Sequence, residues 1–214
     1  MSISADQFFD LPDSVLYRKF FCNDQFPVAW LDNIADAVAM LSGSQEIMLR
    51  SDYPVGCVID DSVFIHKTAK LPPMCVIQGP TYIGAHTEIR PFAYLRGNVM
   101  IGKNCMIGNS TEIKNAILLD HVQVPHFNYV GDSILGNHVH LGAGVILANL
   151  RLDQADIKIS INGEKIETGR RKFGAILGDY VEIGCNSVLN PGCIIAKNRK
   201  FAPLSSLSGY IGSK

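Results

Sequence analysis

Large apolar residues recur at every sixth position. Ile65, Leu71, Ile77, Ile83, Ile89, Leu95, Ile101, Ile107, Ile113 and Leu119 follow one another without a break in step. The ladder runs on through Val124, Val130, Leu135, Leu141 and Leu147, with two steps shortened by one residue. After an interruption it resumes as Leu177, Ile183, Leu189, Ile195 and Phe201. An amphipathic α-helix, with a period of 3.6, cannot hold this register. Two places before many of these residues stands a smaller one: Val63, Ala69, Cys75, Thr87, Ala93, Val99, Cys105, Thr111, Val139, Val145. Residues two apart lie on the same side of a β-strand, so each repeat offers one large and one small inward side chain. Glycine often follows the large residue, as at Gly84, Gly102, Gly108, Gly136, Gly142, Gly178 and Gly184, where it is expected to permit a tight corner. One such unit cannot bury its own apolar side; stacked units bury a continuous core.

Hexapeptide repeats of this kind resemble the left-handed parallel β-helix, an all-β fold in which three repeats make one triangular coil. The β-helix is expected over residues 58–214. Residues 1–57 show no hexad. The stretch from Pro27-Val28-Ala29-Trp30-Leu31 to Ala39-Met40-Leu41 has helical spacing, and Pro27 suits a first helical turn. It is expected to form a small helical N-terminal cap that closes the open end of the solenoid. Residues 149–174 also break the ladder. They are polar and contain Asn162-Gly163, a hairpin turn signal, which predicts an arm projecting from the coil. A long insertion in a regular solenoid is more often functional than decorative.

Composition excludes some roles. The 214 residues carry a formal net charge of −1, which gives no basic field to draw nucleic acid or an anionic membrane. No apolar run approaches the roughly 20 residues needed to span a bilayer. The opening MSISADQFFD lacks the pattern of a secretory signal. A cytoplasmic protein is expected. The six cysteines, Cys22, Cys57, Cys75, Cys105, Cys185 and Cys193, form no CxxC pair and read as small hydrophobes.

Several polar residues stand out against the ladder. Arg96 and Lys114 are 18 apart, one expected coil, which stacks them roughly 5 Å apart. Few carboxylates are evident between them, so either an anion binds there or both are solvated. Arg90 precedes Arg96 by one repeat. Glu112 shares the outward side with Lys114, and His126 follows beside a shortened step; a histidine oriented by a carboxylate is a common general base, although a lone histidine is more often structural. His138 and His140 form an H-x-H pair on one strand face, able to bind metal or simply exposed or packed.

The runs RPFAYLRGN, GNSTEIKNA, HFNYVGD and LGNHVHLGAGVILAN, between Arg90 and Asn149, and the later KFGAILGDYVEIGCNSVL, resemble the acetyltransferase domain of the bifunctional bacterial N-acetylglucosamine-1-phosphate uridyltransferase/glucosamine-1-phosphate acetyltransferase. The resemblance implies a cytoplasmic homotrimer that transfers an acetyl group from acetyl-CoA to glucosamine-1-phosphate in UDP-N-acetylglucosamine biosynthesis, with no metal and each site lined by adjacent subunits. It implies that His126 is the base and Glu112 its orienting carboxylate. Arg96 and Lys114 would hold the sugar phosphate, with Tyr129 and Lys172 seating it. Asn149 would contact acetyl-CoA and the sugar amide region, and Ala143 and Cys185 would line the CoA channel. His140 stands at a sugar-binding position where the family usually has asparagine, and Leu150 replaces a tyrosine. With no glycine-rich nucleotide loop in residues 1–57, the chain reads as a stand-alone acetyltransferase module. Two other roles suit the same fold: a non-catalytic trimeric scaffold or regulatory subunit, and a γ-class carbonic anhydrase using His86, His121 and His126 as zinc ligands.

Overall fold

A computed structural model describes residues 4–12, 15–43, 46–161 and 163–212. From residue 58 onward the chain winds as a left-handed parallel β-helix of three faces. The first face stacks eight short strands, Val58–Ile59 to Ser206–Leu207 and including Tyr94–Arg96, Glu112–Lys114 and Tyr129–Gly131. The second stacks eight, Val63–Ile65 to Tyr210–Ile211, and the third six, Glu88–Ile89 to Lys200–Phe201. The chain visits the faces in that order.

The ladder residues fill the interior. Ile65, Ile77, Ile83, Leu95, Ile101, Ile107 and Ile113 are fully buried, as are the smaller Val63, Cys75, Thr87, Ala93 and Val99 beside them. The buried threonines are satisfied: Thr87 Oγ1 donates to the Gly102 carbonyl at 2.8 Å. Leu71 and Phe201 are only half-buried. One rung differs from the expected register. Ile101 pairs with Leu118, not Leu119; Leu118 faces the solenoid core, while Leu119 faces outward into a second apolar cluster. The first shortened step therefore falls one repeat earlier, and the neighbouring coils are 17 residues long, as Glu112 opposite Tyr129 shows.

The glycines after the large residues do not supply the corner conformation. The positive φ falls two residues later, at His86, Asn104, His121 and His138 on the corner from second to third face and at Phe92, Ser110 and Phe127 on the corner from third to first. The glycines are there because the next coil is close: a Cβ on Gly108 would lie 1.4 Å from the Pro125 carbonyl oxygen, and one on Gly142 would lie 2.6 Å from the Cys185 nitrogen.

The N-terminal segment folds as a 3₁₀ turn (Pro27–Asn33) running into an α-helix (Ile34–Leu41), with a shorter helix at Val15–Phe20. Its position differs from the expected end cap. Phe8, Phe9, Phe21, Trp30, Leu31 and Ile34 bury against Met100, Ile117, Ile134, Ile176 and Ile194, the outward side chains of the second face. The segment is a flank cover. Closing the end falls to residues 46–59, where Met48, Tyr53, Cys57 and Ile59 pack on the solenoid core.

The insertion does not project either. Strands Lys158–Ile161 and Glu164–Glu167 pair as an antiparallel hairpin; Asn162 of the expected turn lies outside the described residues. Ile157, Ile159 and Ile161 are buried in the same flank cluster, because the hairpin's apolar edge finds the second face's apolar surface.

Cys75, Cys105 and Cys193 are buried as expected, and burial pushes each thiol up to about 12. Cys22 and Cys57 are half-buried, and Cys185 is exposed.

Candidate functional site

The 17-residue coils align four polar residues on the corner from first to second face: Asn98, Asn115, Asp132 and Asn149. Asn98, Asn115 and Asp132 have positive φ, a conformation that asparagine and aspartate tolerate better than other residues with a Cβ. Asn98 Nδ2 donates to Asn115 Oδ1, Asn115 Nδ2 donates to Asp132 Oδ1 at 2.7 Å, and Asn149 Nδ2 donates to Asp132 Oδ2. Asp132 is 4% exposed. Sequence reasoning passed it over; the signal that could have found it is this even spacing of amide and carboxylate side chains.

Five of the expected residues gather along this corner. Arg96 and Lys114 occupy successive coils of the first face, fixed by Leu95 opposite Ile113. Their charges are not left facing each other. Arg96 Nη1 donates to Glu112 Oε1 at 2.7 Å, and Lys114 Nζ lies 3.6 Å from Asp132 Oδ2, so the expectation of two cations without carboxylates does not hold. The bond to Glu112 raises the Arg96 pKa further. Asn149 Nδ2 also donates to the Tyr129 hydroxyl at 3.2 Å. A Cβ on Gly131 would lie 2.6 Å from that hydroxyl and 2.7 Å from Asn149 Nδ2, so glycine there lets the bond close. Burial, and secondarily the charge of Asp132, raise the Tyr129 pKa, which keeps the phenol protonated and able to donate.

Lys172 arrives from the far end of the insertion, its backbone bridged antiparallel to Leu150. It lines a cavity of about 510 Å³ with Asp132, Leu150, Arg170 and Arg171. Arg170 is held by Asp32, and Arg171 donates to Gln154. Among the described residues Lys172 pairs with no carboxylate. With Arg170 neutralised by Asp32, Arg171 and Lys172 still outnumber the one buried carboxylate, which favours an anionic occupant.

His126 stands on a different corner, from third to first face, at the end of the strand Gln123–His126. Its imidazole is exposed. The coils stacked on it bring Ala143 and Cys185 to the same corner: the His126 carbonyl accepts from Gly144 N–H at 3.0 Å, and the Ala143 carbonyl from Asn186 N–H at 2.8 Å. His140 lies on the third face, with Nδ1 3.2 Å from Gln123 Oε1. Two expected relations are therefore absent within one chain. Glu112 does not orient His126; it stands on the first face, past the Phe127 corner, with its carboxylate on Arg96. His140 does not join Tyr129 and Asn149, because the third and first faces look in different directions. The strand Tyr129–Gly131 separates the two groups by roughly 10 Å.

The remaining histidines are placed as follows. His138 is a corner residue, φ 59°, and not a strand neighbour of His140. Its ring stacks on His121 at 4.5 Å and on Tyr180 at 4.7 Å. His86 and His121 share one corner and His126 sits on another, so one chain does not bring that trio together. Arg90 pairs with Glu88 at 3.0 Å. No helix among the described residues is long and apolar enough to cross a membrane.

Comparison with known proteins bears on the same stretch. A family model described as the GMPPB C-terminal domain matches residues 77–201. A bifunctional sugar-1-phosphate nucleotidylyltransferase/acetyltransferase of Sulfurisphaera tokodaii is 37% identical over 106 residues, 50% of this chain and 26% of that protein. The bifunctional protein GlmU of Methanococcus vannielii is 41% identical over 96 residues, 45% of this chain and 23% of that protein. An Escherichia coli protein described as a putative uncharacterized acetyltransferase, YaiX, is 33% identical over 97 residues, 45% of this chain and 42% of that protein. The chain thus spans about a quarter of the length of the bifunctional relatives, and the resemblance read from its polar residues is borne out.

Proposed function

Since this chain belongs to the GMPPB C-terminal domain family, and its relatives include sugar-1-phosphate acetyltransferases, we propose that it transfers an acetyl group from acetyl-CoA to the amine of an amino-sugar phosphate, glucosamine-1-phosphate being the acceptor of choice. The observation that carries this reading is the gathering of Lys114, Asn149 and, through Asn149, Tyr129 about the buried Asp132, which borders the cationic cavity that Lys172 lines, with an exposed imidazole one corner away.

In this reading Lys114, Lys172 and Arg96 hold the phosphate. Glu112 positions Arg96. His126 takes a proton from the amine as its nitrogen attacks the thioester carbonyl. The C–N bond forms, the C–S bond breaks, and the CoA sulfur leaves with the proton that the imidazolium returns. Ala143 and Cys185, stacked above His126, line the path of the CoA arm.

The two groups of residues stand on separate corners, and a homotrimer that sets the His126 corner of one copy against the Lys114 corner of the next completes the site. The apolar outward residues of the first face support this: Val58, Val76 and Tyr94 on successive coils, and Val188 farther along the same face, are exposed in the single chain, as expected of a surface that meets a partner. His140, in register with Gln123 three residues before His126, then stands on the His126 side of the site and faces the neighbour's sugar.

The test is release of free thiol from acetyl-CoA by the purified protein, with and without glucosamine-1-phosphate. Sugar-dependent release is the expected result. No release from folded protein, with this or other amino-sugar phosphates, would refute the reading and favour a scaffold.

A further inference from the structure

We propose that Asp132 is a positioning residue, whose buried carboxylate sets the direction of the hydrogen bonds at this corner and so decides which atoms of Asn149 and Tyr129 meet the substrate. The inference rests on the function proposed above and adds a residue to it.

A carboxylate only accepts hydrogen bonds, whereas an asparagine amide can point either end at a neighbour. Three asparagines stand in column with Asp132. Asn98 gives its amino group to Asn115, and Asn115 gives its own to Asp132 Oδ1 at 2.7 Å. From the other side Asn149 gives its amino group to Asp132 Oδ2. All the amides are thus oriented toward the one member that cannot donate. At 4% exposure, Asp132 has little contact with water that could satisfy a reversed amide.

The consequence appears one bond further out. Asn149 Nδ2 is spent on Asp132 and on the Tyr129 hydroxyl oxygen at 3.2 Å, which leaves Asn149 Oδ1 as the atom available to a ligand. Tyr129 accepts from Asn149, so its own proton is free to be donated. The corner therefore offers one acceptor and one donor side by side. That pair fits an attacking amine, which presents an N–H, next to the carbonyl oxygen it attacks, which needs a donor as negative charge develops. It fits poorly if the amide turns over.

Asp132→Asn is the informative variant. It keeps the shape and packing of the column but introduces an amino group that can donate to Asn149 Oδ1 and turn that amide round. We expect a folded protein whose kcat/KM for acetyl transfer falls roughly ten- to hundred-fold, and in which adding Asn149→Ala costs little more. Asn98→Ser, in the same column but two rungs from Asp132 and with no bond to Asn149 or Tyr129, is expected to lower the melting temperature without moving kcat/KM. A merely structural Asp132 would behave like Asn98, and its loss would multiply with that of Asn149→Ala. Multiplying losses, or an Asp132→Asn rate within about two-fold of the parent, overturn the proposal.

A readout without turnover covers the cases of an inactive parent or an unfolded variant: NMR exchange of the Asn149 side-chain amide protons in the parent protein. Slow exchange supports the proposal even if acetyl transfer is absent, in which case only the functional reading fails. Exchange as fast as that of an exposed asparagine overturns it whatever the activity.

Discussion

The second face and the first face of this β-helix are built from the same inward ladder and differ in what points out. On the second face the outward residues are Met100, Ile117, Ile134, Ile176 and Ile194, all buried under the N-terminal segment and the hairpin. On the first face Tyr94, Glu112, Tyr129 and Ile146 alternate with the core and remain at least partly open. The inward residues give both faces their strands. The outward residues make one of them a support and leave the other, with its corners, to meet ligands. Stability and activity should therefore respond to different substitutions.

The sharpest separation comes from His126→Ala. The imidazole is exposed, so its removal should leave the melting temperature unchanged while acetyl transfer falls about 10²- to 10⁴-fold. A variant with the parent's turnover would remove His126 as the base. Trp30→Ala tests the other side. Trp30 is fully buried between Phe9 and Phe21, at ring distances of 5.4 and 5.7 Å, and donates to the Cys22 carbonyl. Its truncation should cost about 3–5 kcal/mol in denaturant unfolding, with kcat/KM preserved in the protein that stays folded. A loss near zero would mean that the N-terminal segment adheres weakly and that the second face stands alone.

The same contrast explains what the sequence disclosed. The solenoid was legible because burying one side of short strands imposes a fixed period. The cover was not, although its trace is there. Where a strand is buried on both sides, alternation gives way to continuous apolar runs: Val99-Met100-Ile101, Ile117-Leu118-Leu119, Ala175-Ile176-Leu177 and Cys193-Ile194-Ile195. All lie on or beside the second face. Those runs also hid the register, since Leu118 and Leu119 are equally apolar and only the pairing of Leu118 with Ile101 decides between them. At the candidate site, Tyr129, Asn149 and Lys172 rested on the resemblance, and residue spacing by itself stacked only Arg96 on Lys114. It failed for Glu112, because a carboxylate two residues from both a cation and a corner can turn to either, and the arginine in the next coil is nearer than the histidine. It missed Asp132 because a buried charge leaves no mark in an apolar pattern.

The seam between the cover and the coil provides the subtlest test. Asp179 is fully buried. Its carboxylate accepts from Asp10 N–H at 2.7 Å and from Asn137 N–H at 2.6 Å, while Lys197, paired with Asp10, lends a weaker favourable field. Burial outweighs these contacts and raises its pKa above the usual 3.8. The sign of the effect follows from linkage. Below the unfolded value the group is protonated in both states, and its contribution to stability is at its fullest. As pH rises through the elevated folded value the carboxyl must ionise in a poorly solvated place, and that contribution is lost. Asp179→Asn cannot titrate, so the stability of the parent relative to this variant should be greatest in acid and decline as pH rises above about 4. Urea midpoints for both proteins across that range measure it. A difference independent of pH would mean that the hydrogen bonds from Asp10 and Asn137 fully offset the burial. The join between cover and solenoid would then be electrostatically neutral, held by the apolar flank alone.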